Sequence, residues 1–139
     1  MTSVFISYSR EDSQIAEKVA ALLEDSGYRV LMDQQWHIAV GDTLRDMIDN
    51  GCKSATCVLV LWSKSAVESQ WVNSEASIGL ERRRLLQVML DGTRPPLVFR
   101  NYIYGSLENW NGTAEHKEFQ RITKGIDFFV ERDSRKESP

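Results

Sequence analysis

Cys57-Val58-Leu59-Val60-Leu61 is an unbroken apolar run with no polar alternation. A strand of that composition is buried on both faces, as the centre of a parallel sheet requires. Working back from it, Val4-Phe5-Ile6-Ser7-Tyr8 is a second short run rich in β-formers and reads as a buried strand. Ser9-Arg10-Glu11-Asp12 is a polar loop, and Asp12 or Ser13 caps a helix in which Ile15, Val19, Leu22 and Leu23 share one face. Gly27 supplies the left-handed stop, and Tyr28 to Met32 is a strand ending at Asp33. Gln34 to Gly41 is a loop, and Asp42 caps a short helix that turns Leu44, Met47 and Ile48 inward. Working forward, Trp62 to Gln70 is a polar loop, and Trp71 to Arg83 is a helix capped by Ser69. Leu85 to Leu90 is a fourth strand and Leu97 to Ile103 a fifth. After a loop from Gly105 to Gly112, Thr113 to Ile126 is the last helix. Strands alternating with helices specify an α/β domain with a mostly parallel sheet and helices on both faces. Ligands in such folds bind outside the carboxyl ends of the strands, which points to Ser7–Arg10, Asp33–Gly41 and Trp62–Glu75.

The 139 residues, 42% hydrophobic and 27% charged, suit one soluble domain. Seventeen Lys and Arg against twenty Asp and Glu leave a net charge of −3, which argues against a general binder of nucleic acid or anionic membrane. Two cysteines, Cys52 and Cys57, lack CxxC spacing and read as reduced thiols. No apolar run is long enough to span a membrane, and the N-terminus lacks the parts of a signal peptide. The expectation is therefore a cytoplasmic protein or module.

Standard chemical motifs are missing. There is no GxxxxGK[ST], no GxGxxG after the first strand and no GxSxG. His37 and His116 lack metal-ligand spacing, so no metal site is expected. A phospho-acceptor receiver would want an acidic pair after the first strand and an Asp closing the third. Ser7-Tyr8-Ser9 and Trp62-Ser63 stand there instead.

Three segments together resemble a Toll/interleukin-1 receptor (TIR) domain, over about residues 3 to 130. The first is Val4-Phe5-Ile6-Ser7-Tyr8-Ser9 with Glu11-Asp12, similar to the family's opening box. The second is Val30-Leu31-Met32-Asp33 with the loop to Gly41-Asp42, then Leu44 and Ile48. The third is Val58-Leu59-Val60-Leu61-Trp62-Ser63 followed by Ser69-Gln70-Trp71-Val72-Asn73-Ser74-Glu75, which resembles the helix bearing a W-x-x-x-E pattern. Leu107-Glu108-Asn109-Trp110 looks like the bacterial branch. Trp62 stands where a small polar residue is commoner. The resemblance implies a flavodoxin-like three-layer sandwich with a five-stranded sheet. It also implies cleavage of NAD⁺ at the nicotinamide–ribose bond, giving ADP-ribose or a cyclised ADP-ribose, and assigns the essential carboxylate to Glu75.

Trp71 and Glu75, four residues apart on one helix, share a face. Cleaving an N-glycosidic bond builds positive charge on the ribose, which a carboxylate stabilises. Nicotinamide leaves as a neutral ring, so a single Glu suffices. An indole can stack on a flat ring, or simply close the helix start as packing, and both readings of Trp71 stand. A Glu in the first turns of a helix also complements the helix dipole without doing chemistry. Tyr8, Ser9 and Arg10 follow the first strand, where an Arg either pairs with a pyrophosphate or stays solvated. Asp33 and Gly41 bound the long loop, and Trp36 is an apolar residue within it that faces ligand or a neighbouring subunit. Arg82-Arg83-Arg84 reads as a solvated helix end, and Phe128 and Phe129 as core of the last helix.

The expected activity is that of an NAD⁺ glycohydrolase or cyclase, with NAD⁺ as substrate and no cofactor, in bacterial immune signalling and antiphage defence. Self-assembly with other TIR domains into an oligomer or filament would switch it on, the long loop docking against a neighbour. The rivals are a non-catalytic TIR–TIR adaptor and, more remotely, a nucleoside deoxyribosyltransferase-like enzyme. Residues 1–130 form the domain, and the charged stretch 131–139 is a tail or the start of a linker to a C-terminal sensor. No direct contact with nucleic acid or membrane is expected.

Overall fold

The structure, a computed structural model, describes residues 2–32, 51–102 and 104–137, with side chains to 135. Asp33, Trp36, Gly41 and the short helix expected after Asp42 lie outside the described residues.

The chain opens with β1 (Ser3–Ser7), a tight 3₁₀ turn at Arg10–Asp12, α1 (Ser13–Asp25) and β2 (Arg29–Met32). Then come β3 (Cys57–Trp62), the single turn α2 (Lys64–Val67), α3 (Gln70–Glu81) and β4 (Leu85–Met89). A 3₁₀ turn at Leu97–Phe99 leads to β5 (Gly105–Ser106) and the long α4 (Lys117–Glu137). The sheet is parallel throughout, in the order β2-β1-β3-β4-β5. All six residues of β3 are buried.

Alternation along the strands sorts the core into two layers. Val4, Ile6, Cys57, Leu59, Leu61 and Val88 face α1 and α4. Phe5, Val58, Val60 and Trp62 face α3, meeting Val72 and Ala76. Helix α3 lies close to the sheet because residue 79 is glycine: a Cβ there would sit 3.0 Å from Val58 Cβ. Helix α1 ends in a paired-bond stop, with Tyr28 N donating to Leu23 O and Gly27, at φ 98°, donating to Glu24 O.

The differences from the sequence reading have physical causes. No strand forms at 97–103 among the described residues; Pro95 and Pro96 precede the turn, and the fifth strand is the two-residue β5, in the stretch read as a loop. The last helix starts at Lys117, where Glu118 N donates to His116 Nδ1 at 3.1 Å, and runs on to Glu137. Asp133, in the stretch read as tail, takes both ends of the Arg84 guanidinium. Neighbouring helical residues point 100° apart, so Phe129 is buried while Phe128 is 60% exposed. Asp12 occupies the N-cap of α1 without making the cap bond, because its carboxylate accepts the Ser63 hydroxyl instead.

Candidate active site

Helix α3 carries the Trp71–Glu75 pair and starts eight residues after the end of β3, beyond the single turn α2. Ser69 accepts from Val72 N at 3.2 Å and caps it. Ser63 accepts from Ala66 N at 3.1 Å and caps the preceding turn. Two short polar caps thus convert the strand end into a helix entrance within eight residues.

Glu75, in the second turn of α3, is fully buried and not near the surface. It sits one turn below Trp71, on the face of α3 that packs against the sheet. Ser7 Oγ donates to Glu75 Oε1 at 2.6 Å, and Ser7 is equally buried. Cys52 Sγ lies 3.5 Å from the Glu75 carbonyl oxygen. Burying a carboxylate removes strong hydration, and a hydroxyl donor returns part of that as a charge-assisted hydrogen bond.

Trp71 is 8% exposed and joins the cluster formed by Phe5, Val58, Val60, Trp62 and Val72. Its Nε1 is buried with no hydrogen-bond partner among the described residues. A buried indole N–H normally finds an acceptor. Trp62, also fully buried, satisfies its own: Nε1 donates to Gln87 Oε1 at 2.9 Å, Gln87 donates to Phe99 O, and the two rings lie 5.5 Å apart. The indole at the end of β3 is therefore spent on packing beneath the α3 entrance.

The other expected site residues separate. Tyr8 is buried on the opposite face, against Ala16, Val19 and the α4 core, because strand side chains alternate. Ser9 is buried and donates to Glu11 Oε2 at 2.5 Å, which holds the Glu11 carboxyl below its usual range. Arg10 is exposed at the strand-end edge. Asp33, Trp36 and Gly41 lie outside the described residues. Burial pushes the Asp12 carboxyl above its usual range, the Asp91 and Glu11 charges adding to it against the Ser63 hydrogen bond. Arg82 and Arg84 are not a solvated helix end. Arg82 donates to the carbonyls of Cys52 and Ala55, and Arg84 to that of Thr56. They brace the segment entering β3, while Arg83, at φ 58°, turns the chain.

Sequence reasoning placed Ser7 in a strand-end stretch but gave it no role of its own. The signal was a hydroxyl closing an apolar strand on the face that α3 covers. Both cysteines are free, and burial pushes the Cys57 thiol up to about 12. Among the described residues, no three His, Cys, Asp or Glu side chains are grouped to hold a metal ion.

A family model described as a TIR domain matches residues 4–123. The chain belongs to the TIR domain family. The match runs from Val4 in β1 to Thr123 in the first third of α4, so the sheet of this TIR domain falls within it apart from Ser3. Over 129 residues it is 26% identical to the NAD(+) hydrolase TcpA of Theionarchaea archaeon (strain DG-70-1), covering 91% of this chain and 37% of that protein. Over 72 residues it is 35% identical to the 2′ cyclic ADP-D-ribose synthase BtTIR of Bacteroides thetaiotaomicron, covering 51% of this chain and 25% of that one. The chain thus spans well under half the length of these curated relatives. Among solved structures, the TIR domain of the Toll-related receptor TRR-2 from Hydra magnipapillata matches with a TM-score of 0.72 at 15% identity, over 89% of this chain and 97% of that one. The TIR domains of the activated Roq1 resistosome match at 0.65 and 19%, over 91% and 99%. These likenesses show the fold.

Proposed function

We propose that this TIR domain cleaves NAD⁺ between nicotinamide and ribose, with Glu75 as the catalytic carboxylate. The observation that carries the reading is the buried Glu75 carboxylate one turn from a buried Trp71 whose N–H has no acceptor among the described residues. A carboxylate and an indole on one helix face match a positively charged ribose beside a flat leaving group. The likeness to an NAD(+) hydrolase over 91% of the chain supports the same chemistry.

The step is dissociative. The C–N bond breaks with its electron pair going to the pyridinium nitrogen, so nicotinamide departs neutral. The Glu75 carboxylate opposes the charge left on the ribose, and its low-dielectric setting strengthens that interaction. Water then attacks the ribose carbon and loses a proton, giving ADP-ribose; attack by a hydroxyl of the same molecule gives a cyclic product.

Self-assembly completes the proposal. Tyr102 and Phe128, 48% and 60% exposed, border a cleft of about 510 Å³ between β4 and α4 that Leu86, Val88 and Ile122 also line. Covering that cleft with another copy removes apolar surface from water. Asp33, Trp36 and Gly41 are proposed to shape the substrate side of the site in such an assembly, with Arg10 at the pyrophosphate. Among the described residues no helix is long and apolar enough to cross a membrane. A cytoplasmic setting, bacterial immune signalling and a C-terminal sensor domain belong to the same proposal.

The test is to incubate concentrated protein with NAD⁺ and identify products by mass spectrometry. Nicotinamide with linear or cyclic ADP-ribose is the expected result. Intact NAD⁺ from a folded, assembled protein overturns the reading in favour of an adaptor.

A further inference from the structure

Ser7 ends β1 on the face that α3 covers. The residue before it on that face is Phe5, and the parallel register sets Ser7 beside Val60. An apolar side chain would continue the packing there. A hydroxyl stands instead, fully buried and 2.6 Å from Glu75 Oε1, bridging elements 68 residues apart in sequence. Its neighbours do other work: Tyr8 points to the opposite face and Ser9 bonds to Glu11.

A Glu side chain turns broadly about its last torsion. A donor at 2.6 Å on one oxygen removes that freedom, because turning the carboxylate breaks a buried charge-assisted bond. The rigid centre of the sheet is what carries that donor. We propose that Ser7 is a positioning residue for NAD⁺ cleavage: its hydroxyl fixes the plane of the Glu75 carboxylate that meets the ribose. Ser7 touches no substrate in this assignment, which rests on Glu75 being the reacting carboxylate. Its effect falls on the charge-separated transition state, where a small misorientation matters most, and hardly on the binding of NAD⁺.

The experiment compares Ser7→Ala, Ser7→Thr, Ser7→Val and Glu75→Gln in the full chain under conditions where the wild type releases nicotinamide. Ser7→Ala should lower kcat about 10-fold or more with KM within about twofold, the pattern of an interaction made mainly in the transition state. Thr and Val share a shape and differ by the hydroxyl. Ser7→Thr should keep most of kcat and Ser7→Val should fall as Ser7→Ala does. Equal losses in Thr and Val, or a wild-type kcat in Ser7→Ala, overturn the positioning role. So does unfolding of every variant lacking the hydroxyl, which makes the group structural. A wild type that leaves NAD⁺ intact, or a Glu75→Gln variant with full turnover, removes the underlying reading instead, so the two failures are distinguishable.

Discussion

Burial changes how Glu75 must be probed. Glu75→Ala deletes an acceptor and strands the Ser7 hydroxyl, a loss of about 1–3 kcal/mol that lowers stability along with activity. Glu75→Gln keeps an oxygen for Ser7 and removes the charge. It should fold with a melting temperature near wild type while nicotinamide release falls to background, read by circular dichroism and a release assay. Trp71 needs the same care. Truncating a buried Trp costs about 3–5 kcal/mol, so Trp71→Ala should lower the melting temperature by many degrees, and its lost activity then says nothing about stacking. Trp71→Phe keeps a flat face and drops only the N–H that lacks an acceptor among the described residues. It should melt within a few degrees of wild type and raise KM more than it lowers kcat; a thermal melt with steady-state kinetics checks both. The W-x-x-x-E spacing was legible as one helix face. The burial of Glu75 was not, because the partner that accompanies it, Ser7, is 68 residues away. Nothing local announces such a pair.

At the scale of elements, strands buried on both faces were the easiest to read, since β1 and β3 carry their burial as unbroken apolar runs. The caps at Ser69 and the stop at Gly27 were legible for a local reason too: a polar oxygen or a left-handed glycine acts on its own turn. What escaped were features set by distant partners. Arg84 reads as helix-end solvent until Thr56 and Asp133 are beside it, and the stretch from 131 reads as tail until Asp133 meets Arg84. The short edge strand β5 forms only because β4 is already in place for Gly105 and Ser106 to pair with. These contacts make a prediction about the end of the domain. A chain ending at Val130 loses the Asp133 carboxylate and the last turns of α4. Replacing a bidentate Arg–carboxylate pair of this exposure costs about 1 kcal/mol, or about 3–5 °C in a domain of this length. Asp133→Ala in the full chain should reproduce most of that shift in a thermal melt, and a truncated chain melting at the wild-type temperature would remove α4's last turns from the stability of the fold.

For the molecule as a whole, a single dilute copy should turn over slowly. Association costs translational, rotational and side-chain freedom, and the contacts that offset it are missing from a dilute monomer. Fusing the domain to an oligomer-forming partner raises the effective concentration. Specific activity should therefore rise with protein concentration and rise further in the fusion, and Trp36→Ala should blunt both. Flat specific activity across dilution and fusion describes a self-sufficient monomer. The strand order carries a consequence for synthesis as well. β1 is made first, yet its inner edge is closed by β3: Ser3 O waits for Thr56 N, and Val4 through Ser7 wait for Cys57 through Val60. On the ribosome, a nascent chain of β1, α1 and β2 thus carries an open apolar edge until the tunnel has released Trp62. Such an edge is the part of a newborn chain that recruits strand-like partners or chaperones. A pause in translation while β3 is still inside the tunnel should be costly in yield, and the same pause placed after its release should be harmless.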